Sequence, residues 1–510
     1  MFGGYKKQDW IIAALICLLV LAVTCTQLTC GIRDWGDDWA AYILEGIAIS
    51  EGDFHGQTVR NYTMHGTYLS EEASDGQLVY VWGFPLLLSV VHKFVGFDTV
   101  NFSSIFFYKL PSLICFALTG AVLYLLYRRY FSSAFSAVLT LLFCISGELM
   151  QSVDLLNVDI PFLFLVVLSL LLAECMLDAE NLPEHKIRAI VTGLGLGVAL
   201  WLTHETRLNG FTVVVAVFAR HLLGFILKKE KSDLRRVAVN LIPYLVFLLL
   251  TLVSEAILAP ATQNISHVGK TSLSDMLGNI YYYYYTTVIY IKTLTGDSLA
   301  FIWPGICLLL LVGFFADGFR WKNLHMTALL AGTYFILFTL PYVQGLRYLF
   351  YVLPIIVLYI ALGAVRVYNL LVKKLGHPKV FKACATVACA ALLLSSYVPA
   401  FISGAENVKN FGQTSLTNVY APETKGLFHF IQENVEEDAL IGFIKPRALY
   451  LNTGRTAFIP NINSLTLEDA DYFLYAPFIT SEVSEQAAAS IPEDTPVVFE
   501  SQLFTLYKLK

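Results

Sequence analysis

The residues best suited to chemistry open close to the N-terminus. Residues 31–42 read Gly-Ile-Arg-Asp-Trp-Gly-Asp-Asp-Trp-Ala-Ala-Tyr, which places Asp34, Asp37 and Asp38 within five positions. Neighbouring carboxylates repel, so each seeks water, a proton or a cation. Such a pair can serve as a general base, or hold a divalent cation through its oxygens. The simpler alternative is an N-cap, since the run 38–50 has apolar residues at helical spacing and one Asp suffices to cap it. With that spacing the run reads as an amphipathic helix lying on the membrane surface. A second acidic position is Asp159, two residues before Pro161 in Gln-Ser-Val-Asp-Leu-Leu-Asn-Val-Asp-Ile-Pro (151–161). It too could be a cap, with Pro161 in the first turn. The third cluster is Thr-His-Glu-Thr-Arg (203–207), in a connection too short to leave the membrane surface. The fourth is Gln-Gly-Leu-Arg-Tyr (344–348). Arg207 and Arg347 could together hold a phosphate, because a guanidinium fork matches its oxygens.

The elements that must position these residues are membrane spans. The chain has 510 residues, of which 56% are hydrophobic and 14% charged. Soluble domains carry roughly 25% charged residues, so a soluble enzyme or a disordered chain is excluded. The net charge of −5 with no basic domain argues against nucleic acid as a partner. Nine cysteines, nearly all in apolar runs and without a CxxC, give no disulfide framework or thiolate zinc site. A spanning helix takes about 20 apolar residues. By that measure eleven spans are predicted, near 9–30, 103–127, 131–148, 159–178, 187–203, 208–227, 237–259, 299–315, 324–342, 346–369 and 381–403. The stretch 79–96 is short and contains Gly83, Pro85, His92 and Lys93, and reads as interfacial or re-entrant. That choice puts Arg128, Arg129, Lys228, Lys229, Arg235, Arg236, Lys373 and Lys374 on the cytoplasmic side, in keeping with the positive-inside rule.

The expected architecture is a polytopic α-helical membrane domain over 1–403, with a cytoplasmic N-terminus and outer segments at 31–102 and 260–298. A soluble extracytoplasmic α/β domain follows over 404–510, with a helix near 423–435 and strands near 439–444, 447–452, 471–477, 496–500 and 504–509. Lys6–Lys7 and the apolar run behind them read as a retained anchor in the plasma (inner) membrane. Five tyrosines, 281–285, read as an aromatic belt at headgroup level. All four polar clusters then share the outer face, which suits a reaction on a phosphate-bearing lipid. A transporter or flippase of a lipid-linked glycan would instead need charges deep in several spans. An O-antigen ligase or polymerase would share the location, but not an acidic pair directly after the first span.

At these residues the chain resembles the GT-C glycosyltransferases, in particular the family 39 branch of protein O-mannosyltransferases and lipid A aminoarabinose transferases. The resemblance rests on Asp37–Asp38 after the first span, Trp-Gly-Phe-Pro-Leu-Leu-Leu (82–88), Asp159 with Pro161, and Arg347–Tyr348 with Pro354. It implies a GT-C fold with interfacial helices in the first outer loop, and an inverting transfer from a polyprenyl-phosphate sugar to a lipid, glycan or protein acceptor. Asp37 or Asp38 would then be the catalytic base. Arg207, Arg347 and His204 would hold the donor phosphate, and Asp159 and Tyr348 would bind substrate. The segment His-Glu-Thr-Arg-Leu-Asn-Gly (204–210) departs from the family's usual pattern around Arg207. The resemblance leaves a divalent cation open, with Asp37 and Asp38 its ligands if one is used.

Overall fold

Apolar length decides most of the architecture. In hydrocarbon every backbone polar group must find a partner within its own segment, which favours helices. The computed structural model describes residues 5–32, 35–67, 80–180, 186–227, 234–257, 272–295, 297–339, 344–410, 418–479 and 481–510. It begins with α1 (Lys7–Cys25), followed by α2 (Asp38–Glu51), α3 (Phe54–Met64) and α4 (Gly83–Val95). Next come α5 (Ile105–Arg128), α6 (Ser133–Cys144), α7 (Gly147–Asp154), α8 (Asp159–Glu180), α9 (Lys186–Thr206), α10 (Phe211–Leu227) and α11 (Leu234–Ile257). The bundle closes with α12 (Leu273–Thr295), α13 (Trp303–Gly313), α14 (Leu324–Thr339), α15 (Leu353–Leu375) and α16 (Pro378–Asn410).

Among the described residues, eight helices are long and apolar enough to cross a membrane, and two bent pairs raise the count to ten. Two of the eleven expected spans, 299–315 and 324–342, form one of these bent pairs. There α13, extended by a π turn over Phe314–Gly318, meets the following segment at a bend of 106°. The expected outer loop 260–298 is corrected as well. Its described part is largely α12, whose Tyr283 and Tyr290 are fully buried in the bundle core, while Tyr281, Tyr284 and Tyr285 face outward. Thus the tyrosine run divides by helical periodicity between core and surface. Helix α4, at 13 residues, is too short to span, as the reading of 79–96 requires.

The core runs through α5, which packs between α1 and α8, while α8 packs on α9 and α9 on α11. Small residues allow the closest crossings. A Cβ on Gly313 would lie 1.9 Å from the Tyr359 carbonyl of α15, so nothing larger fits there. At one end of the bundle Asp9 of α1 pairs with Arg128 of α5 at 2.7 Å. The C-terminal region lies at the other end, packed on α2.

That region adds α17 (Pro422–Asn434), β1 (Ile441–Gly442), α18 (Pro446–Thr453), β2 (Ala457–Phe458), β3 (Tyr472–Tyr475), α19 (Glu482–Ala489), β4 (Val497–Glu500) and β5 (Thr505–Lys508). The sheet order is β2-β1-β3-β5-β4, with β1 parallel to both β2 and β3, and β5 antiparallel to its neighbours. The expected strand at 447–452 is helix α18, a correction whose cause lies far away in the sequence and is described below. Nor is the core of this region its own. Trp35, from the segment after α1, sits among Phe428, Phe443, Phe478 and Phe504 at centroid distances of 5.8–6.4 Å. Burying an aromatic side chain removes about 150–250 Å² from water, worth several kcal/mol at roughly 25 cal/mol per Å². The same apolar cluster takes in Trp39, Tyr42 and Ile43 of α2. Helix α2 is therefore buried between bundle and C-terminal sheet, rather than lying free on a membrane surface.

Candidate active site

Five separate segments carry the polar residues to one cavity of about 260 Å³ at the end of the bundle that the C-terminal region covers. Asp38 and Tyr42, one helical turn apart on α2, share one face of it. The loop between α7 and α8 contributes Asn157, and the first residue of α8 is Asp159. This loop turns at Leu156, a fully buried residue with φ 55°, a conformation uncommon without glycine. The end of α9 contributes Thr206, the turn that follows it contributes Arg207 and Asn209, and the turn before α15 contributes Arg347 and Tyr348.

Asp159 is 3% exposed and forms an ion pair with Arg207. The Arg207 guanidinium also lies 4.9 Å from the Tyr348 ring centroid and 5.9 Å from that of Phe162. A carboxylate at one edge and aromatic faces beside it hold the planar cation in a single orientation. Arg347 donates to the Tyr348 hydroxyl at 3.2 Å, and its Nη2 is 3.9 Å from Asp38 Oδ2. Both Arg347 and Asp38 keep nearly half of their side-chain surface exposed, so this contact lies at the cavity mouth. Tyr80 donates its hydroxyl to Asp38 Oδ1 at 2.7 Å, and its backbone N–H donates to Glu45 at 3.1 Å. Burial, then the Asp38 charge, push the Tyr80 phenol above its usual range, which keeps it a donor.

The adjacent aspartates part company. Asp37 turns its carboxylate away from the cavity to α18, accepting the backbone N–H of Ala448 at 3.0 Å and of Arg447 at 3.4 Å. The Arg447 guanidinium lies 3.5 Å from the same carboxylate. Burial raises the Asp37 pKa, while Arg447 and the two amides oppose the shift. Asp37 and Asp38 therefore do not converge as a chelate. Among the described residues no group of three or more His, Cys, Asp or Glu has an arrangement that could hold a metal ion. Asp34 lies outside the described residues.

His204 is a correction to the phosphate-binding set. Its ring packs against Phe211 and Phe247, at 6.3 and 5.8 Å, and does not line the cavity. Arg207 has already left α9 in extended backbone (φ −159°, ψ 133°), so the three-residue spacing no longer puts both side chains on one helical face. Glu205 is also turned elsewhere, accepting from Ser254 of α11 at 3.1 Å. Its carbonyl lies where a Cβ on Gly83 would come within 2.5 Å, which accounts for glycine in Trp-Gly-Phe-Pro. Sequence reasoning missed Tyr42, Tyr80, Asn157 and Asn209. Signals were present in the turn-spacing from Asp38 to Tyr42, and in the two-residue offsets of Asn157 from Asp159 and Asn209 from Arg207.

Residues 96–254 match the family model described as dolichyl-phosphate-mannose-protein mannosyltransferase. No curated protein matches the sequence. The structure resembles that of ArnT from Cupriavidus metallidurans bound to undecaprenyl phosphate, with a TM-score of 0.62 and 12% identity, over 98% of each chain. The Archaeoglobus fulgidus oligosaccharyltransferase in its apo form is similar at a TM-score of 0.52 and 11% identity, over 92% of this chain and 66% of that one. The archaeal oligosaccharyltransferase AglB from Archaeoglobus fulgidus, in complex with an inhibitory peptide and a dolichol-phosphate, gives a TM-score of 0.52 and 12% identity over 90% of this chain and 65% of that one. The spans, the segment packed between bundle and C-terminal sheet, and these likenesses identify the chain as a polytopic membrane protein with the GT-C fold.

Proposed function

We propose that this protein is a membrane glycosyltransferase that moves a sugar from a polyprenyl-phosphate donor to an extracytoplasmic lipid, glycan or protein acceptor, with inversion. The observation that carries the reading is the convergence of Asp38, Arg207 and Arg347 on one cavity. The two guanidiniums take the donor phosphate, Arg207 held in place by Asp159. Asp38, oriented by Tyr80, takes the proton from an acceptor hydroxyl as its oxygen attacks the anomeric carbon. The bond from that carbon to the phosphate oxygen breaks on the opposite face, and polyprenyl phosphate leaves with its charge on the arginines. A phosphate is a good leaving group at neutral pH, so no strong acid is needed. A positioned base typically contributes a factor of 10²–10⁴. An acceptor that is itself a phosphate needs no base, and Asp38 would then orient it.

ArnT is solved with undecaprenyl phosphate and AglB with a dolichol-phosphate and a peptide, which supports a lipid-phosphate donor for the same fold. The plasma (inner) membrane is the proposed site, with the N-terminus cytoplasmic and residues 404–510 outside. Arg128, Arg129 and Lys322 support this orientation. They gather at the end opposite the cavity, where Lys322 Nζ donates to the Arg129 carbonyl at 3.2 Å. A transport path has less support, because α8 is apolar from Ile160 to Ala173 except at Ser169. The test is transfer of labelled sugar in membranes from a panel of polyprenyl-phosphate sugars. Wild type should transfer from at least one, and Asp38→Asn should lose about 10²–10⁴-fold at unchanged protein level. Transfer that survives Asp38→Asn from a hydroxyl-bearing acceptor rules out the base.

A further inference from the structure

Asp37 occupies an unusual mechanical position. Its backbone carbonyl accepts the Ala41 N–H at 3.2 Å and so starts α2, the helix that carries Asp38. Its side chain accepts the first free N–H groups of α18, 410 residues further along the chain. A helix leaves its first N–H groups without partners in its own backbone, and a carboxylate there also meets the positive end of the helix dipole. Lys445, the residue flanking α18 on its N-terminal side, makes no side-chain capping bond, so Asp37 fills that place from another part of the fold. One residue thus joins two helices, through its main chain on one side and its carboxylate on the other. Arg447 tightens the joint. It is 8% exposed, and its guanidinium reaches both Asp37 at 3.5 Å and His65 Nε2, beyond α3, at 2.7 Å. Backbone bonds from Ile459 to the Met64 carbonyl at 3.2 Å, and from Leu465 to the Gly66 carbonyl at 2.8 Å, continue the seam.

We infer that Asp37, α18 and Arg447 form a positioning latch by which the C-terminal region sets the direction in which Asp38 enters the cavity. Neither Asp37 nor Arg447 touches the reacting atoms. The C-terminal region is then part of the machinery of the site, not a cap placed over it. The catalytic consequence rests on the glycosyltransferase reading; the mechanical link from α18 to α2 does not.

Amide versus apolar replacement separates a latch from a base. Asparagine keeps an oxygen that can accept the α18 N–H groups but cannot take a proton, whereas alanine does neither. The full chain in lipid nanodiscs would be compared as wild type, Asp37→Asn, Asp37→Ala and Arg447→Met, by hydrogen–deuterium exchange and by sugar transfer. In Asp37→Ala, exchange should rise in 446–453 and also in 38–45, and kcat should fall at least about tenfold with the donor KM within about twofold. Asp37→Asn should stay within about threefold of wild type in kcat and keep both segments protected. Arg447→Met should fall between the two. Equal collapse of Asp37→Asn and Asp37→Ala would assign Asp37 to the chemistry and overturn the latch. Loosening of 446–453 without a change in 38–45 would overturn it too. If wild type transfers from no donor, the functional reading fails, and exchange at 38–45 still decides the link.

Discussion

Helix α8 carries a buried carboxylate near each end, and the two are used differently. Asp159 meets one arginine, Arg207, beside an open cavity lined by tyrosines and asparagines. Glu174 meets a closed set. Arg129 lies 3.3 Å away, His325 3.5 Å and Arg220 3.8 Å, and the Tyr130 hydroxyl donates at 3.3 Å. Arg220 in turn reaches His325 Nδ1 at 3.1 Å. These partners come from the end of α5 and from α10 and α14, so the cluster ties together helices that are distant in sequence. An acid removed from water needs compensation wherever it lies. At Glu174 all of it comes from side chains of the fold, and the result is a joint. At Asp159 the compensation is partial, and the cavity leaves room for a ligand to complete it. A buried ion pair alone does not mark a functional site; the space beside it does.

The largest expected effect tests the sealed end. Glu174→Ala would leave Arg129 and Arg220 without their shared acid, and loss of one partner of a buried pair costs about 3–5 kcal/mol. The protein should lose its cooperative melt in detergent, or fail to accumulate. Asp159→Ala, with Arg207 able to reach water through the cavity, should melt within a few degrees of wild type while transfer falls. Equal loss of stability in both would erase the distinction between the ends. A smaller effect concerns Tyr80, which holds Asp38 by one hydrogen bond. Tyr80→Phe removes a bond worth about 1.5–3 kcal/mol to a charged acceptor. Transfer should drop by about tenfold or more while the melting temperature falls by no more than a few degrees, and a collapse of both would place Tyr80 with the joints.

The smallest effect is a pH dependence at the junction between His65 and Arg447. Partial burial and the Arg447 charge hold the His65 pKa down, from 6.5 to about 4. The unfolded chain therefore takes up the proton first as pH falls. The junction is fully stabilised above about pH 6.5, weakens as pH falls from 6.5 toward 4, and changes no further below that. Since the ring keeps an exposed face, the expected size is about 1 kcal/mol or less. Melting curves between pH 7.5 and 4.5 should show a shallower slope for His65→Gln than for wild type. Identical slopes would mean that other groups carry the dependence.

Much of the bundle was legible because hydrocarbon imposes a length and a composition that the chain cannot hide. The spans near 103–127, 159–178, 187–203 and 237–259 reappear as α5, α8, α9 and α11. Asp38, Asp159, Arg207 and Arg347 were named from residue type, spacing and sidedness, and Tyr348 from the family resemblance, and they line one cavity. The misses share a cause. Residues 447–452 alternate like a strand, yet form a helix that starts at Pro446 and is capped by Asp37 from the far end of the chain. His204 reads as a companion of Arg207 until the backbone turns out of α9 between them. The Glu174 cluster gave no signal, because its members are scattered from Arg129 to His325.

Apolar run length and the distribution of lysine and arginine determine by themselves that this is a polytopic membrane protein with its acids and two arginines grouped at one face. Those are properties of local composition, read against a solvent with fixed thickness and sidedness. Which of two adjacent aspartates faces the cavity was decided only in the tertiary structure. Neighbouring side chains at a helix start point in different directions, and the direction that Asp37 takes depends on helix α18, 410 residues away.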